Sequence, residues 1–183
     1  MKNFNVPARE DVSENNQAIF DNLQSNLGFV PNLYAYYAKS DTALADYLAL
    51  QNRKTSLKGR EREAVNIVVS QINGCKYCQS AHTVLGKMNK FTDEQIIEIR
   101  RGGASFDPKL DALVKFAAAA TTNRGQVSEE LKTNFLDAGF TEENLIDTII
   151  VVGDKTISNY IHNITGFAID FPLAPALETV AAS

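Results

Sequence analysis

Helical periodicity is the feature that most limits what this chain of 183 residues can become. Almost every segment spaces its apolar residues three and four apart, and no run alternates β-branched and polar residues between turns as a hairpin strand does. The expected fold is all-α. The pattern places helices over about 14–26, 32–39, 42–54, 58–72, 75–88, 93–101, 108–122, 129–138, 142–152 and 155–166. Several ends carry chemical signals. Thr92 with Gln95 makes a capping box, Asp107 before Pro108 is an N-cap followed by proline in the first helical position, and Thr141 precedes an acidic first turn. The glycines of "RRGG" and "NRGQ" act as stops.

The closing stretch "FAIDFPLAPALETVAAS" holds Pro172 and Pro175 among apolar residues, so it should run extended over a surface, docked at first and loose at its end. An apolar tail over 167–177 with no core of its own is expected to lie against a neighbouring subunit. A faint repeat appears at a shift of 80 positions: Glu63 falls on Glu143, Val65 on Leu145, Val69 on Ile149, His82 on His162 and Gly86 on Gly166. It suggests one helix pair used twice, or two amphipathic pairs alike by chance. Cys75 and Cys78 fall on Lys155 and Ser158, so only the first copy keeps thiols.

Composition narrows the function. Hydrophobic residues at 44% and charged residues at 22% describe an ordinary globular chain, expected as a single domain over 1–183 that needs no cofactor to fold. A net charge of -4 and a pI near 5.2 count against partnership with nucleic acid or an anionic membrane. The start "MKNFNVPARE" lacks the apolar stretch of a signal peptide, and runs such as "TIIVVG" are too short to cross a bilayer. A cytoplasmic location is the expectation. In that reducing compartment, two cysteines three residues apart point to catalysis or metal binding rather than to a structural disulfide.

Both cysteines and one of the two histidines lie in "NGCKYCQSAHTVLGK", residues 73–87. On a helix, Cys75, Cys78 and His82 fall within an arc of about 60° and share a face. Cys75 sits at the helix start, where unpaired amides and the helix dipole favour a thiolate. Cys78 lies one turn before His82, which can take its proton, so attack is assigned to Cys78. An oxidised Cys78 would have Cys75 close enough to condense with it into a disulfide.

The longer stretch "EREAVNIVVSQINGCKYCQSAHTVLGK" resembles the signature of the alkyl hydroperoxidase D and carboxymuconolactone decarboxylase-like superfamily, a glutamate followed by CxxCxxxH across a helix-turn-helix. The likeness is strongest over 57–100. "LGFVPNLYAYYAKS" and "NYIHNITGFAIDFPLAP" resemble its peroxidase-related branch. The resemblance implies an all-α alkyl hydroperoxidase D-like fold with two internally related halves, assembly into homo-oligomers such as trimers or hexamers, and thiol-dependent reduction of small hydroperoxides or disulfides. It implies that Cys78 attacks, Cys75 resolves, and His82 with Glu63 relays protons, while an unidentified dithiol, lipoyl or thioredoxin-like, restores the pair. Tyr77 stands where the family's best-known peroxidase pattern has a histidine, which shortens the relay.

Blander readings stand beside these. The cysteines could be small buried hydrophobes, or Cys75, Cys78, His82 and His162 could ligate zinc. The module could be a redox sensor or binding protein without turnover. His162 is expected to be packed or hydrogen-bonded rather than catalytic. Glu63, following Arg60, Glu61 and Arg62, would be a surface charge but for its spacing, and the basic run from Arg53 to Arg62 reads as a surface face. Tyr34, Tyr36 and Tyr37 read as a packed helix face.

Overall fold

The computed structural model describes residues 4–177. Among these residues every regular element is helical: a 3-10 turn at Arg9–Asp11, then α1 (Glu14–Leu27), α2 (Asn32–Tyr37), α3 (Ala43–Gln51), α4 (Gly59–Ile72), α5 (Lys76–Met88), α6 (Asp93–Arg100), α7 (Pro108–Thr122), α8 (Glu129–Asp137) and α9 (Glu142–Thr165). The sequence signals appear as drawn. Thr92 Oγ1 accepts from the Gln95 amide at 3.2 Å and Gln95 Oε1 accepts from the Thr92 amide at 3.1 Å. Asp107 accepts from the Leu110 amide ahead of Pro108, and Thr141 from the Asn144 amide.

α4 is the centre of the molecule, packed by α5, α6, α7 and α9. Its residues Glu63 to Ser70 are buried without interruption, so its period is masked by contact on all sides. One apolar cluster joins α4 to α6, α7, α8 and α9 through residues such as Val65, Ile99, Leu113 and Phe135. A second, richer in aromatic rings, gathers Phe20, Tyr37, Leu44 and Tyr47 of α1–α3 around Cys75, Tyr77 and Cys78. The two sulfurs are thus part of the second core. Tyr37 stacks on Tyr47, with ring centroids 4.3 Å apart, and Tyr36 on Phe167, so the tyrosines of α2 pack as expected.

Three expectations are corrected. The two helices expected over 142–152 and 155–166 are one, α9. Gly153 lies inside it, where a glycine costs only about 1 kcal/mol relative to alanine. That cost is met by the cap at Thr141, the left-handed C-cap at Gly166 and a buried face running from Asp147 to His162. The second copy of the repeat is therefore no helix pair. Glu143 and His162 lie on one straight helix, roughly 28 Å apart at the α-helical rise, and cannot meet as Glu63 and His82 do.

The tail is extended and docked, as expected, but the surface it covers is this chain's own. Residues 167–177 run without helix over this chain's own surface. Phe167 is buried, Phe171 meets the Tyr77 ring edge-on, the Ala174 amide donates to Ser80 Oγ at 3.1 Å, and Arg100 donates to the Pro175 carbonyl at 2.7 Å. Its apolar side finds a core within the same chain. The expected loose end, 178–183, lies outside the described residues.

The basic run from Arg53 to Arg62, finally, is more than a surface face. Arg53 pairs with buried Asp147, Arg62 donates to the Gln51 carbonyl, and the Arg60 guanidinium lies 4.3 Å from the Phe91 ring centroid.

Candidate functional site

The turn between α4 and α5 sets the cysteines in place. The Cys75 amide donates to the Ser70 carbonyl at 3.1 Å and the Gly74 amide to Gln71 at 3.0 Å, the two bonds of a Schellman motif, with Gly74 left-handed at φ +66°. The motif ends α4 and in the next residue starts α5, because Cys75 is itself the N-cap: its Sγ accepts from the Cys78 amide at 3.3 Å. Cys78 stands in the first turn and His82 one turn later.

Both cysteines are free and buried, Cys75 at 0% and Cys78 at 2% exposure. The Cys75 thiol donates to Cys78 Sγ across 2.8 Å. That contact lowers the Cys78 pKa to about 6; burial opposes the shift, while Lys155, His82 and Asn159 favour it. The same bond and burial push Cys75 far up, outweighing the amides of Cys78 and Tyr77 that favour its thiolate. The expected lowering of Cys75 by the helix start is therefore overturned. The lowered thiol is its partner.

Glu63 is no surface charge. It is buried on α4, its Oε1 lies 2.7 Å from His82 Nδ1, and its Oε2 accepts from Asn66 Nδ2 at 3.1 Å. The four residues named from the sequence are thus neighbours in one buried constellation. Among the described residues no hydrogen bond joins His82 to either sulfur, so its influence on Cys78 is that of a nearby charge.

Tyr77 turns the other way. Its hydroxyl accepts from the Leu33 amide at 3.2 Å, its ring meets Phe167 and Phe171 edge-on, and burial raises its pKa well out of the neutral range. It holds α2 and the tail and has no proton to exchange near pH 7. His162 is packed and hydrogen-bonded, with Nε2 donating to the Phe167 carbonyl at 3.1 Å; burial lowers its pKa. Among the described residues no group of three or more His, Cys, Asp or Glu side chains is arranged to hold a metal.

Sequence reasoning missed one wall of the site. Lys155 and Asn159 of α9 are buried, and both favour the Cys78 thiolate. Burial works against the Lys155 charge, yet Asp154, Cys78, Tyr34 and Glu63 raise its pKa above the ordinary lysine value. The available signal was a polar stripe, Lys155, Asn159 and His162, spaced four and three apart on a helix otherwise rich in Ile and Val. A cleft lined by Gly74, Lys76, His162, Asn163 and Phe167 opens beside the start of α5.

Comparison with known proteins agrees with this geometry. Residues 37–107, which contain Glu63, both cysteines and His82, match the carboxymuconolactone decarboxylase family. A peroxidase-related protein from Ralstonia eutropha JMP134, described as an alkylhydroperoxidase AhpD core, superposes with a TM-score of 0.82 at 22% identity, over 91% of this chain and 90% of that one. A peroxidase-related protein from Silicibacter sp. TM1040 gives 0.79 at 24% identity, over 92% and 90%. A variant of the debrominase Bmp8 in complex with 2,3,4-tribromopyrrole gives 0.75 at 16% identity, over 93% and 92%. No curated protein sequence matches. The fold is alkylhydroperoxidase D-like, and residues 37–107 are similar to the carboxymuconolactone decarboxylase family.

Proposed function

We propose that this protein is a thiol-dependent peroxidase or disulfide reductase whose Cys75–Cys78 pair cycles between dithiol and disulfide. The observation that carries the reading is the asymmetry of the pair: two sulfurs 2.8 Å apart, one donating its proton to the other, with the acceptor's pKa near 6. A thiolate already formed at neutral pH is the nucleophile that a hydroperoxide needs, and the protonated neighbour is in place to resolve the product.

The Cys78 thiolate attacks the terminal oxygen of a small hydroperoxide, ROOH. An S–O bond forms, the O–O bond breaks, and sulfur supplies the electron pair. The alkoxide leaves as ROH with a proton from the His82 imidazolium, whose Nδ1 is held by Glu63, so that Nε2 is the nitrogen that exchanges. Cys75 then attacks the sulfenic acid at Cys78, forming the disulfide and releasing water. A dithiol donor, lipoyl or thioredoxin-like, reduces the disulfide by exchange and is itself oxidised. The reaction needs neither metal nor organic cofactor.

The test is turnover with a panel of dithiol donors and small peroxides; a brominated pyrrole, the kind of ligand in the Bmp8 complex, belongs in the same panel. Cys78→Ser should abolish the first oxidation, whereas Cys75→Ser should oxidise once and stop as a sulfenic acid or mixed disulfide. The reverse pattern would exchange the roles and sink the His82 argument. Protein purified without added metal should carry no stoichiometric zinc. One tightly held zinc per chain, with both thiols protected from alkylation, would refute the redox reading.

One observation favours the non-catalytic alternative: the sulfurs are almost wholly enclosed. A sensor oxidises once per chain, while an enzyme consumes peroxide many times over with its donor. We further propose that the protein is a cytoplasmic homo-oligomer; among the described residues no helix is long and apolar enough to cross a membrane.

A further inference from the structure

Asn159 is buried to 0% exposure, and its Nδ2 has no hydrogen-bond partner among the described residues. Its orientation is set from the other side. Asn73, the C-cap of α4, donates from Nδ2 to Asn159 Oδ1 at 2.9 Å, and Asn163 holds the Asn73 carbonyl at 2.7 Å. With its oxygen committed to the α4–α5 turn that carries Cys75, the amide must present its two donor hydrogens away from Asn73, and it favours the Cys78 thiolate. A buried donor left without an acceptor is rare in folded proteins, and where one occurs it needs an explanation.

One turn earlier on α9, Lys155 is 3% exposed. Asp154 Oδ2 is 3.9 Å from its Nζ, too far for a hydrogen bond. The carboxylate of Glu63 on α4 is already engaged by His82 and Asn66. A buried ammonium with so loose a carboxylate partner needs another anion close by.

We infer that Lys155 and Asn159 form an anion-stabilising wall: Lys155 is the buried counter-charge of the Cys78 thiolate, and Asn159 donates to the oxygen that Cys78 acquires. The inference rests on Cys78 being the attacking sulfur. When the thiolate takes oxygen from ROOH, one lone-pair-bearing atom is added beside Asn159 Nδ2, and the unmatched donor gains its acceptor. The product sulfenic acid is held while Cys75 approaches. The wall comes from a helix about 80 positions beyond the CxxC motif and is separate from the Glu63–His82 relay. The other groups that bear on Cys78 or on Lys155 are Cys75 and Tyr77 beside the sulfur, His82 on α5, Glu63 on α4, Tyr34 on α2 and Asp154 on α9.

The test uses the full chain carrying Cys75→Ser, which leaves Cys78 as the single thiol and retains a hydroxyl donor beside it. The rate of alkylation by iodoacetamide is followed against pH, with circular dichroism as the check on folding. Lys155→Met and Asn159→Asp should each move the midpoint upward by about one pH unit or more, the shift that follows loss of an opposite charge or gain of a like one. Lys155→Arg should stay near the parent. At a pH where Cys78 is fully ionised in every variant, Asn159→Leu should still slow oxidation by hydrogen peroxide, by about a hundredfold, as loss of a donor to a developing anion does.

An unchanged midpoint in a folded Lys155→Met or Asn159→Asp protein overturns the inference, and so does a parent midpoint at the ordinary thiol value. If Lys155→Met does not fold, Asn159→Asp decides alone. Should the midpoints shift while the unmodified protein turns over no peroxide with any donor, the wall stands and the peroxidase reading falls.

Discussion

At the scale of the residue, the chemistry turns on a difference between two identical side chains. Cys75 and Cys78 share a turn and a core, yet one is a donor with a raised pKa and the other an acceptor with a lowered one. Alkylation of the reduced protein should therefore be half-maximal near pH 6: the thiolate is lost below that value and fully present above it, whereas an ordinary thiol would titrate near about 8.5. A midpoint above 8 in the unmodified protein would remove the basis for assigning attack to Cys78. Glu63→Gln replaces the anion that holds His82 with a neutral amide of the same shape. It should slow peroxide turnover about a hundredfold, the usual worth of a positioned acid or base, and steady-state assays at saturating donor would measure it.

At the scale of the element, the α4–α5 corner and the unbroken α9 are two outcomes for similar helical patterns. At the corner, Gly74 adopts φ +66° with open space around its missing Cβ, so conformation alone demands glycine there. Gly74→Ala should destabilise the protein by about 1 kcal/mol through the left-handed penalty, visible as a lowered melting temperature. No change in melting would mean that the corner tolerates an ordinary residue. Gly86 answers a different demand: a Cβ there would come within 3.1 to 3.2 Å of Ile96 and Ile67, so glycine lets α5 approach α4 and α6. In α9, Gly153 is helical and the chain runs straight through it, because Asp147, Val151, Asp154 and Ser158 bury one continuous face on both sides of it.

At the scale of the whole molecule, the opposite face of α9 is left without cover among the described residues. Ile146, Ile149, Ile157, Tyr160 and Ile164 are all exposed and fall at three- and four-residue steps, with Gly153 among them offering room for close approach. We propose this face, in place of the tail, as the surface that meets a second copy of the chain. The full-length protein should run as a trimer or hexamer in light scattering, and Ile157→Glu with Tyr160→Glu should lower that state. A monodisperse monomer of the unmodified protein would refute the assembly. Removal of everything after Gly166 should act first on the site within one chain, since Phe167 and Phe171 pack on Tyr77 beside Cys78.

What the sequence by itself determined was local. Helix type, most helix ends and the shared face of Cys75, Cys78 and His82 follow from hydrogen bonds and caps within a few residues of one another, and these can be read off a linear string. Glu63 is singled out in the sequence only by the resemblance of its spacing to the family signature; the tight turn that lays α4 beside α5 is why that spacing brings it to His82. Only the tertiary structure decided that Cys75, despite its place at the helix start, is the donor of the pair, that α9 continues through Gly153, and where the tail lies. A thiol's proton affinity depends on burial and on the charges within a few ångströms of it. Here the largest influence on Cys78 is the Cys75 thiol of its own motif, while Lys155 and Asn159, which also favour the thiolate, lie about 80 positions further on, on a helix whose approach no local pattern announces.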